Sequence, residues 1–137
     1  MIRTLMMGMI LGTAAVNAFA ADAPKPQRVF ELRTYTTNEG KLEDLHKRFR
    51  EHTNKLFVKH GMELVGYWTP QDEKDGKKDK LVYILAYPSR EAAAASWKAF
   101  GSDPEWQKVR EESHKNGVIV KHVDSVFLDP TDYSPIK

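Results

Sequence analysis

One histidine of this 137-residue chain combines a reactive side chain with an inward position on a predicted helix. Apolar residues recur at spacings of three and four between Leu42 and Leu56, which is typical of a helix face that packs against a core. With about 3.6 residues per turn, the same face holds His52 and directs it toward a sheet. An imidazole there can act as a base, an acid or a haem ligand. The plainer interpretation is a histidine that hydrogen-bonds a strand or a tyrosine.

A predicted strand near the start of the domain places three polar side chains on one face. Glu31, Arg33 and Tyr35 occupy alternate positions, so they point the same way. Arg33 can hold an anionic group through two parallel hydrogen bonds. Tyr35 joins His52 and Arg33 as a candidate catalytic residue. The alternative is an ion pair, either between Arg33 and Glu31 or across to a neighbouring strand.

Aromatic residues form the third candidate set. Aromatic walls suit flat organic ligands and haem. The same residue types also supply much of the buried area of cores and dimer interfaces, so both interpretations stay open. Trp106 belongs to the same aromatic-rich set. The ligand-binding candidates are Tyr67, Trp68, Tyr83, Tyr87 and Trp97.

Composition and spacing exclude several other chemistries. The chain has no cysteine, and its five histidines show neither an HxH nor an HExxH pattern, so no metal site is predicted. Glycine-rich phosphate loops and nucleophile elbows are also missing. The formal net charge is +2 with both signs interspersed, which lacks the basic stripe of a nucleic-acid binder. We therefore expect no metal and no nucleic-acid partner.

The start of the chain has the layout of a secretory signal peptide. Met1–Ala20 carries Arg3, then an uncharged apolar run, and ends in Ala18-Phe19-Ala20, a small-x-small cleavage pattern. The run is short for a membrane span, so we expect export to the periplasm or the exterior and no stable membrane insertion after cleavage. Residues 21–27 predict a disordered leader. Residues 28–137 then make one domain.

The candidate residues are distributed over an alternation of strands and helices. Strand, helix, strand, strand, broken helix, strand is the order of the ferredoxin-like βαββαβ fold. This is an α+β architecture with its helices on one face of a four-stranded antiparallel sheet. The predicted strands are Val29–Thr36, Met62–Thr69, Lys80–Pro88 and Val118–Leu128, and the predicted helices are Lys41–Lys59, Arg90–Phe100 and a further segment from Asp103 to Gly117.

The third strand, Leu81–Pro88, is apolar on both faces. Tyr83 and Tyr87 share one face and smaller residues form the other, and the sequence leaves open which face meets the helices. An antiparallel strand with one wet face would alternate apolar and polar residues. Helices can cover only one side, so the other would remain a large apolar patch in a monomer. The pattern predicts a homodimer in which the two sheets pack together.

Several motifs in this order resemble the NIPSNAP family. They include ELRTYT at Glu31–Thr36, HGMELVGYW at His60–Trp68, LVYILAYPS at Leu81–Ser89, DPEW at Asp103–Trp106 and FLDPTDYSP at Phe127–Pro135. The resemblance covers about residues 28–137. It implies a dimeric α+β barrel, in which two ferredoxin-like halves pack their sheets into one barrel.

The resemblance suggests a pocket between sheet and helices without naming a reaction. The first hypothesis is a small-molecule-binding or non-catalytic protein, with a small aromatic or apolar ligand as partner. The second is a cofactor-independent monooxygenase or a haem-handling enzyme, so that no cofactor is required but haem stays open. The third is a protein-interaction scaffold that docks through the tail Asp129–Lys137.

Overall fold

The computed structural model describes residues 27–137, so the predicted signal peptide and nearly all of the predicted leader lie outside the described residues. Four strands and four α-helices alternate along this part of the chain. A π-helical turn, Phe49–Thr53, joins α1 to α2, and a short 3₁₀ turn precedes β3. The elements are β1 (Val29–Thr37), α1 (Leu42–Arg48), α2 (Asn54–Lys59), β2 (Glu63–Trp68), β3 (Lys80–Tyr87), α3 (Arg90–Ser102), α4 (Pro104–Ser113) and β4 (Val120–Leu128).

The strands form one antiparallel sheet in the order β2-β3-β1-β4. This order and the helices between the strands confirm the predicted ferredoxin-like α+β fold. β1 lies in the interior of the sheet, where Arg33 is opposite Tyr83 of β3 on one side and Ser125 of β4 on the other. The central strand therefore brings residues from three strands to one point on the sheet.

The helices cover the tyrosine-bearing face of β3, which answers the question that the sequence left open. Tyr83 and Tyr87 are fully buried in the core, and Leu81 and Leu85 lie on the same face. Phe49 and Phe57 pack on this face from the helical segments, and Phe49 meets the Tyr83 ring edge to face at 5.4 Å. Aromatic pairs of this kind add about 0.5–1.5 kcal/mol beyond their buried area.

The π-helical turn between α1 and α2 corrects the predicted helix Lys41–Lys59. A π turn inserts an extra residue into the helical repeat, so the inward face shifts by one position after it. Thr53 takes the inward place, with only 2% of its surface exposed, and its hydroxyl donates to the Arg48 carbonyl at 3.2 Å. The His52 side chain is 46% exposed. The prediction that His52 faces the sheet is therefore wrong.

No helix of residues 27–137 covers the opposite face of the sheet. Phe30, Leu32, Val82 and Ile84 lie on it, and the edge strand adds Val126 and other exposed apolar residues. The tail after β4 folds back over one end, and encloses with the sheet an apolar groove of about 330 Å³. Arg28 anchors this tail by donating two hydrogen bonds to the Lys137 carbonyl. The rest of this face is open in the single chain.

Candidate functional site

A buried carboxylate lies at the centre of the helix-covered face. Glu31 is only 1% exposed, and each of its oxygens accepts two hydrogen bonds. Oε1 accepts from Arg33 Nη1 at 2.5 Å and from the Ser125 hydroxyl at 2.6 Å. Oε2 accepts from the Tyr87 hydroxyl at 2.6 Å and from Trp97 Nε1 at 2.7 Å. We call these five residues the Glu31 cluster.

The Glu31 carboxyl is held in its ionised form. Burial by itself raises the pKa of Glu31, but the hydrogen bonds from Ser125, Tyr87, Trp97 and Arg33 outweigh this effect and lower the pKa below its usual value. A carboxylate with four donors has no free position for a substrate proton. Glu31 therefore acts as a fixed anion that orients its neighbours and is poorly suited to be a general base.

Strand register and one helix cap assemble the cluster. The two-residue repeat of β1 puts Glu31 and Arg33 on the inner face, and pairing with β4 brings Ser125 alongside. Trp97 comes from α3, whose start is fixed by Ser89, since the Ser89 hydroxyl accepts from the Ala92 N–H at 3.0 Å. The strand repeat and the helix cap thus determine each element locally, while the pairing of the strands determines where the cluster residues come together.

Arg33 is the member of the cluster that retains unused donors. Its guanidinium lies over the Trp97 ring at 4.2 Å and near the Tyr35 ring at 5.5 Å. Its Nε is buried without a hydrogen-bond partner among the described residues. Burial alone would lower the pKa of Arg33, but Tyr83, Tyr35 and Glu31 raise it by more. The pKa is therefore raised overall, and the side chain stays charged. The predicted Arg33–Glu31 ion pair is confirmed, and it leaves part of the arginine free.

Two tyrosines beside Arg33 present buried hydroxyls without partners among the described residues. The rings of Tyr67 and Tyr83 stack at 5.4 Å, and Tyr35 packs edge-on against Tyr83 at 5.3 Å. Burial raises the pKa of both Tyr67 and Tyr83. These phenols are therefore neutral donors at ordinary pH. Buried hydroxyls normally have a partner; the Tyr83 hydroxyl lies close to Tyr35 and Arg33, whereas that of Tyr67 has no hydrogen-bond partner among the described residues.

The structure brings together only part of the predicted set. Arg33, Tyr35, Tyr67, Tyr83, Tyr87 and Trp97 share the space between sheet and helices. Trp68 lies on the opposite face, 53% exposed, with its ring folded against Gly66. His52 lies on the helix surface. The aromatic wall and the histidine do not make one site, so the residues present do not fit a haem held by His52.

Sequence reasoning named Glu31 only as a possible ion-pair partner of Arg33, not as the centre of a cluster, and it missed Ser125. Glu31 carried a usable signal, because a carboxylate at an inward position of a strand with apolar and aromatic neighbours must be paired. Ser125 carried none, since its role follows from the register between β1 and β4. Within residues 27–137, no group of three or more His, Asp or Glu side chains is arranged to hold a metal ion. In the same residues, every helix is too short or too polar to cross a membrane.

The family model described as NIPSNAP matches residues 30–135. Among solved structures, a NIPSNAP family protein of unknown function from Agrobacterium tumefaciens superposes with a TM-score of 0.70 at 21% identity, over 82% of this chain and 96% of that one. An uncharacterized NIPSNAP domain protein from Burkholderia xenovorans gives 0.65 at 26% identity, over 78% and 98%.

A more distant neighbour has a different description. A putative antibiotic biosynthesis monooxygenase from Chloroflexus aurantiacus gives a TM-score of 0.50 at 18% identity, over 80% of this chain and 99% of that one. At this identity the likeness concerns the fold alone. No curated protein matches the chain in sequence.

Proposed function

The chain belongs to the NIPSNAP family, and on that premise we propose that it is an exported homodimer that binds a small, flat molecule carrying a carboxylate. In this proposal the ligand's carboxylate meets Arg33 in the Glu31 cluster. The ligand's ring lies against the neighbouring aromatic side chains, and Tyr83 or Tyr67 donates to a polar atom of the ligand.

The state of Arg33 carries this proposal. The neighbouring Glu31 carboxylate orients Arg33 by accepting a hydrogen bond from its Nη1 at 2.5 Å, and the Trp97 ring packs against one side of the guanidinium plane. An arginine guanidinium carries five N–H donors in a planar fork, and in this proposal those that Glu31 does not use hold the ligand's carboxylate. An arginine fixed in this way loses little conformational entropy on binding, which favours affinity for a rigid anion.

Binding is better supported than catalysis. Glu31 is a saturated carboxylate, and Tyr67 and Tyr83 are phenols whose pKa values are raised, so none of these three groups is suited to remove a substrate proton at ordinary pH. The cofactor-independent monooxygenase alternative draws support from the fold shared with the Chloroflexus protein. Turnover of a bound ligand would replace the binding proposal with that alternative.

The homodimer is proposed from the helix-free face of the sheet. Phe30, Leu32, Val82, Ile84 and Val126 would be covered when two such faces pack together. Val126→Arg should give a monomer in sedimentation velocity, because it adds a charge to the apolar surface that would be buried in this interface. Val58→Arg changes an equally exposed valine of α2 and should stay dimeric. Unchanged sedimentation of Val126→Arg would remove this interface.

Export is proposed from the layout of Met1–Ala20. Expression of the full chain in a bacterial host, followed by N-terminal sequencing of the periplasmic or secreted protein, should yield a first residue of Ala21. A protein that keeps Met1 and stays in the cytoplasm would contradict export without affecting the ligand site.

The ligand proposal is tested with benzoate and its uncharged isostere benzamide. Benzoate should raise the melting temperature in a concentration-dependent way, while benzamide should not, because only benzoate carries the anion that Arg33 receives. Arg33→Met should abolish the benzoate shift. Arg50→Met removes an exposed arginine of the π turn and should retain the shift. If benzoate and larger aromatic carboxylates bind wild type and Arg33→Met equally, the site is elsewhere.

A further inference from the structure

A second cavity lies on the outer side of the helices, between the α1–π segment and α4. Its volume is about 480 Å³, which is in the range of sites for small molecules. Arg48 forms its inner wall, Lys47 and His52 line the α1–π side, and Lys108 and Ser113 line the α4 side. The cavity lies apart from the Glu31 cluster and shares no lining residue with it.

Arg48 is a buried cation without a carboxylate partner among the described residues. It is 6% exposed. Its Nη1 donates to the Ser113 hydroxyl at 3.3 Å, and its guanidinium lies 5.2 Å from the Trp106 ring. Its Nε is buried and has no hydrogen-bond partner in the described part of the chain. Buried charges in proteins are normally paired, because an unpaired one is costly to desolvate.

Four carboxylates and three cations line the cavity, so its lining has no excess of positive charge, but the two signs differ in how they are paired. Each lining carboxylate already has a cationic or imidazole neighbour within ion-pair distance, whereas Arg48, Lys47 and Lys108 pair with no carboxylate in residues 27–137. The carboxylate contacts are Asp44 to Lys41 at 3.0 Å, Glu51 to His52 at 3.8 Å, Glu105 to Lys59 at 3.4 Å and Glu112 to Lys115 at 3.3 Å. Burial lowers the pKa of the neighbouring His114, and the charges of Arg48 and Arg110 lower it further.

The π turn helps to build this cavity. It begins directly after Arg48, and the Thr53 hydroxyl holds the Arg48 carbonyl at 3.2 Å. The extra residue also moves His52 from the core to the cavity wall. Single π turns within α-helices cost stability and occur frequently at functional sites, which gives this one a reason to be retained.

We propose that this cavity binds a small oxyanion with two or more negative charges, such as a phosphate monoester or a dicarboxylate. Arg48 meets the anion from the interior side, and Lys47 and Lys108 meet it from the rim. The site is independent of the ligand proposed for Arg33, and either can be wrong without the other.

The test is a titration of the purified protein with inorganic phosphate and with succinate, each matched by sodium chloride of equal ionic strength. Binding is measured by isothermal titration calorimetry and by the shift in melting temperature. At least one of the two oxyanions should bind with a saturable isotherm. Tighter binding of phosphate would indicate a phosphate monoester as the natural ligand, and tighter binding of succinate would indicate a dicarboxylate.

Arg48→Met should weaken the affinity about 10- to 100-fold, because it removes charge-assisted hydrogen bonds from the centre of the site. The double variant Lys47→Gln/Lys108→Gln changes exposed residues only, so it should fold and also weaken binding. Lys98→Gln on α3 changes an exposed lysine away from the cavity and should bind as wild type does. The proposal is overturned if neither oxyanion binds above the chloride control, or if the Lys47/Lys108 variant binds with unchanged affinity.

Discussion

Among the described residues, Arg33 and Arg48 both have largely buried side chains, but they differ in whether a carboxylate balances their charge. Arg33 has its own carboxylate at 2.5 Å, and that carboxylate is held by three further donors. Arg48 has a serine hydroxyl, an aromatic ring and no ion pair among the described residues. The chain supplies the counter-anion in the first case and leaves it to be supplied from solution in the second.

This difference separates a charge that stabilises the fold from a charge that would bind an anion from solution. A cation that is neutralised internally fixes geometry, and only its spare N–H groups are available to a ligand. A cation without internal neutralisation creates a site whose free energy improves when an anion arrives. Breaking the charge pair of Arg33 should therefore cost much stability, whereas removing the charge of Arg48 should cost little.

Replacing Glu31 should produce the largest loss of stability. Glu31→Leu leaves Arg33 without its counter-charge and removes the acceptor of Tyr87 and Trp97, so the free energy of unfolding should fall by about 3–5 kcal/mol. Urea denaturation followed by tryptophan fluorescence measures this. The double variant Glu31→Leu/Arg33→Met should recover part of the loss, because the unpaired cation is then gone. A cost below about 1 kcal/mol for Glu31→Leu would mean that the pair is not structural.

Acid should act on the Glu31 cluster next. The pKa of Glu31 is lower in the folded state than its ordinary value of 4.5, so the folded protein binds fewer protons than the unfolded chain. The resulting stability is fully present above pH 4.5 and is lost as the pH falls through the lowered folded pKa. Each unit of lowering corresponds to about 1.4 kcal/mol. Stability of Glu31→Gln should fall less steeply with acid than that of wild type.

A second carboxylate also contributes to the loss of stability at low pH, and its contribution must be distinguished from that of Glu31. Asp103 binds Lys59 and His60, both at 2.7 Å, and these hydrogen bonds hold its pKa well below the usual range. Asp103→Asn therefore serves as the comparison variant. If Glu31→Gln shows the same acid slope as wild type, the Glu31 carboxylate does not titrate differently in the folded and unfolded states.

The sequence predicted the sheet and which residues share a face, because both follow from short-range alternation, but it left open which face meets the helices. Arg33 and Tyr35 on β1, and Tyr83 and Tyr87 on β3, lie where the two-residue repeat puts them. The pairing of Glu31 with Ser125 could not be predicted, since it depends on a register between strands about ninety residues apart. Nor could the π turn be predicted, because a periodic pattern assumes one constant repeat along the helix.

The π turn leads to a matched pair of predictions for the stability effects of changing Thr53 and His52. Thr53→Val should lower the free energy of unfolding by about 1 kcal/mol, since it removes the buried hydroxyl that donates to the Arg48 carbonyl. His52→Ala should change it by less than about 0.5 kcal/mol, because the side chain is largely exposed. Thermal unfolding measures both. A larger cost for His52→Ala than for Thr53→Val would indicate the regular helix that the sequence pattern predicts.

Removing the Arg48 charge should change stability little in chloride buffer, and this result bears most directly on the comparison between Arg33 and Arg48. Arg48→Met loses the hydrogen bond to Ser113 and the contact with Trp106, but it also removes the cost of an unpaired buried cation. These terms oppose each other, so the unfolding free energy in chloride buffer should stay within about 1 kcal/mol of wild type. In phosphate or succinate, wild type alone should gain stability, and the two proteins should diverge. A loss for Arg48→Met as large as that for Glu31→Leu, already in chloride, would mean that Arg48 is a structural charge like Arg33.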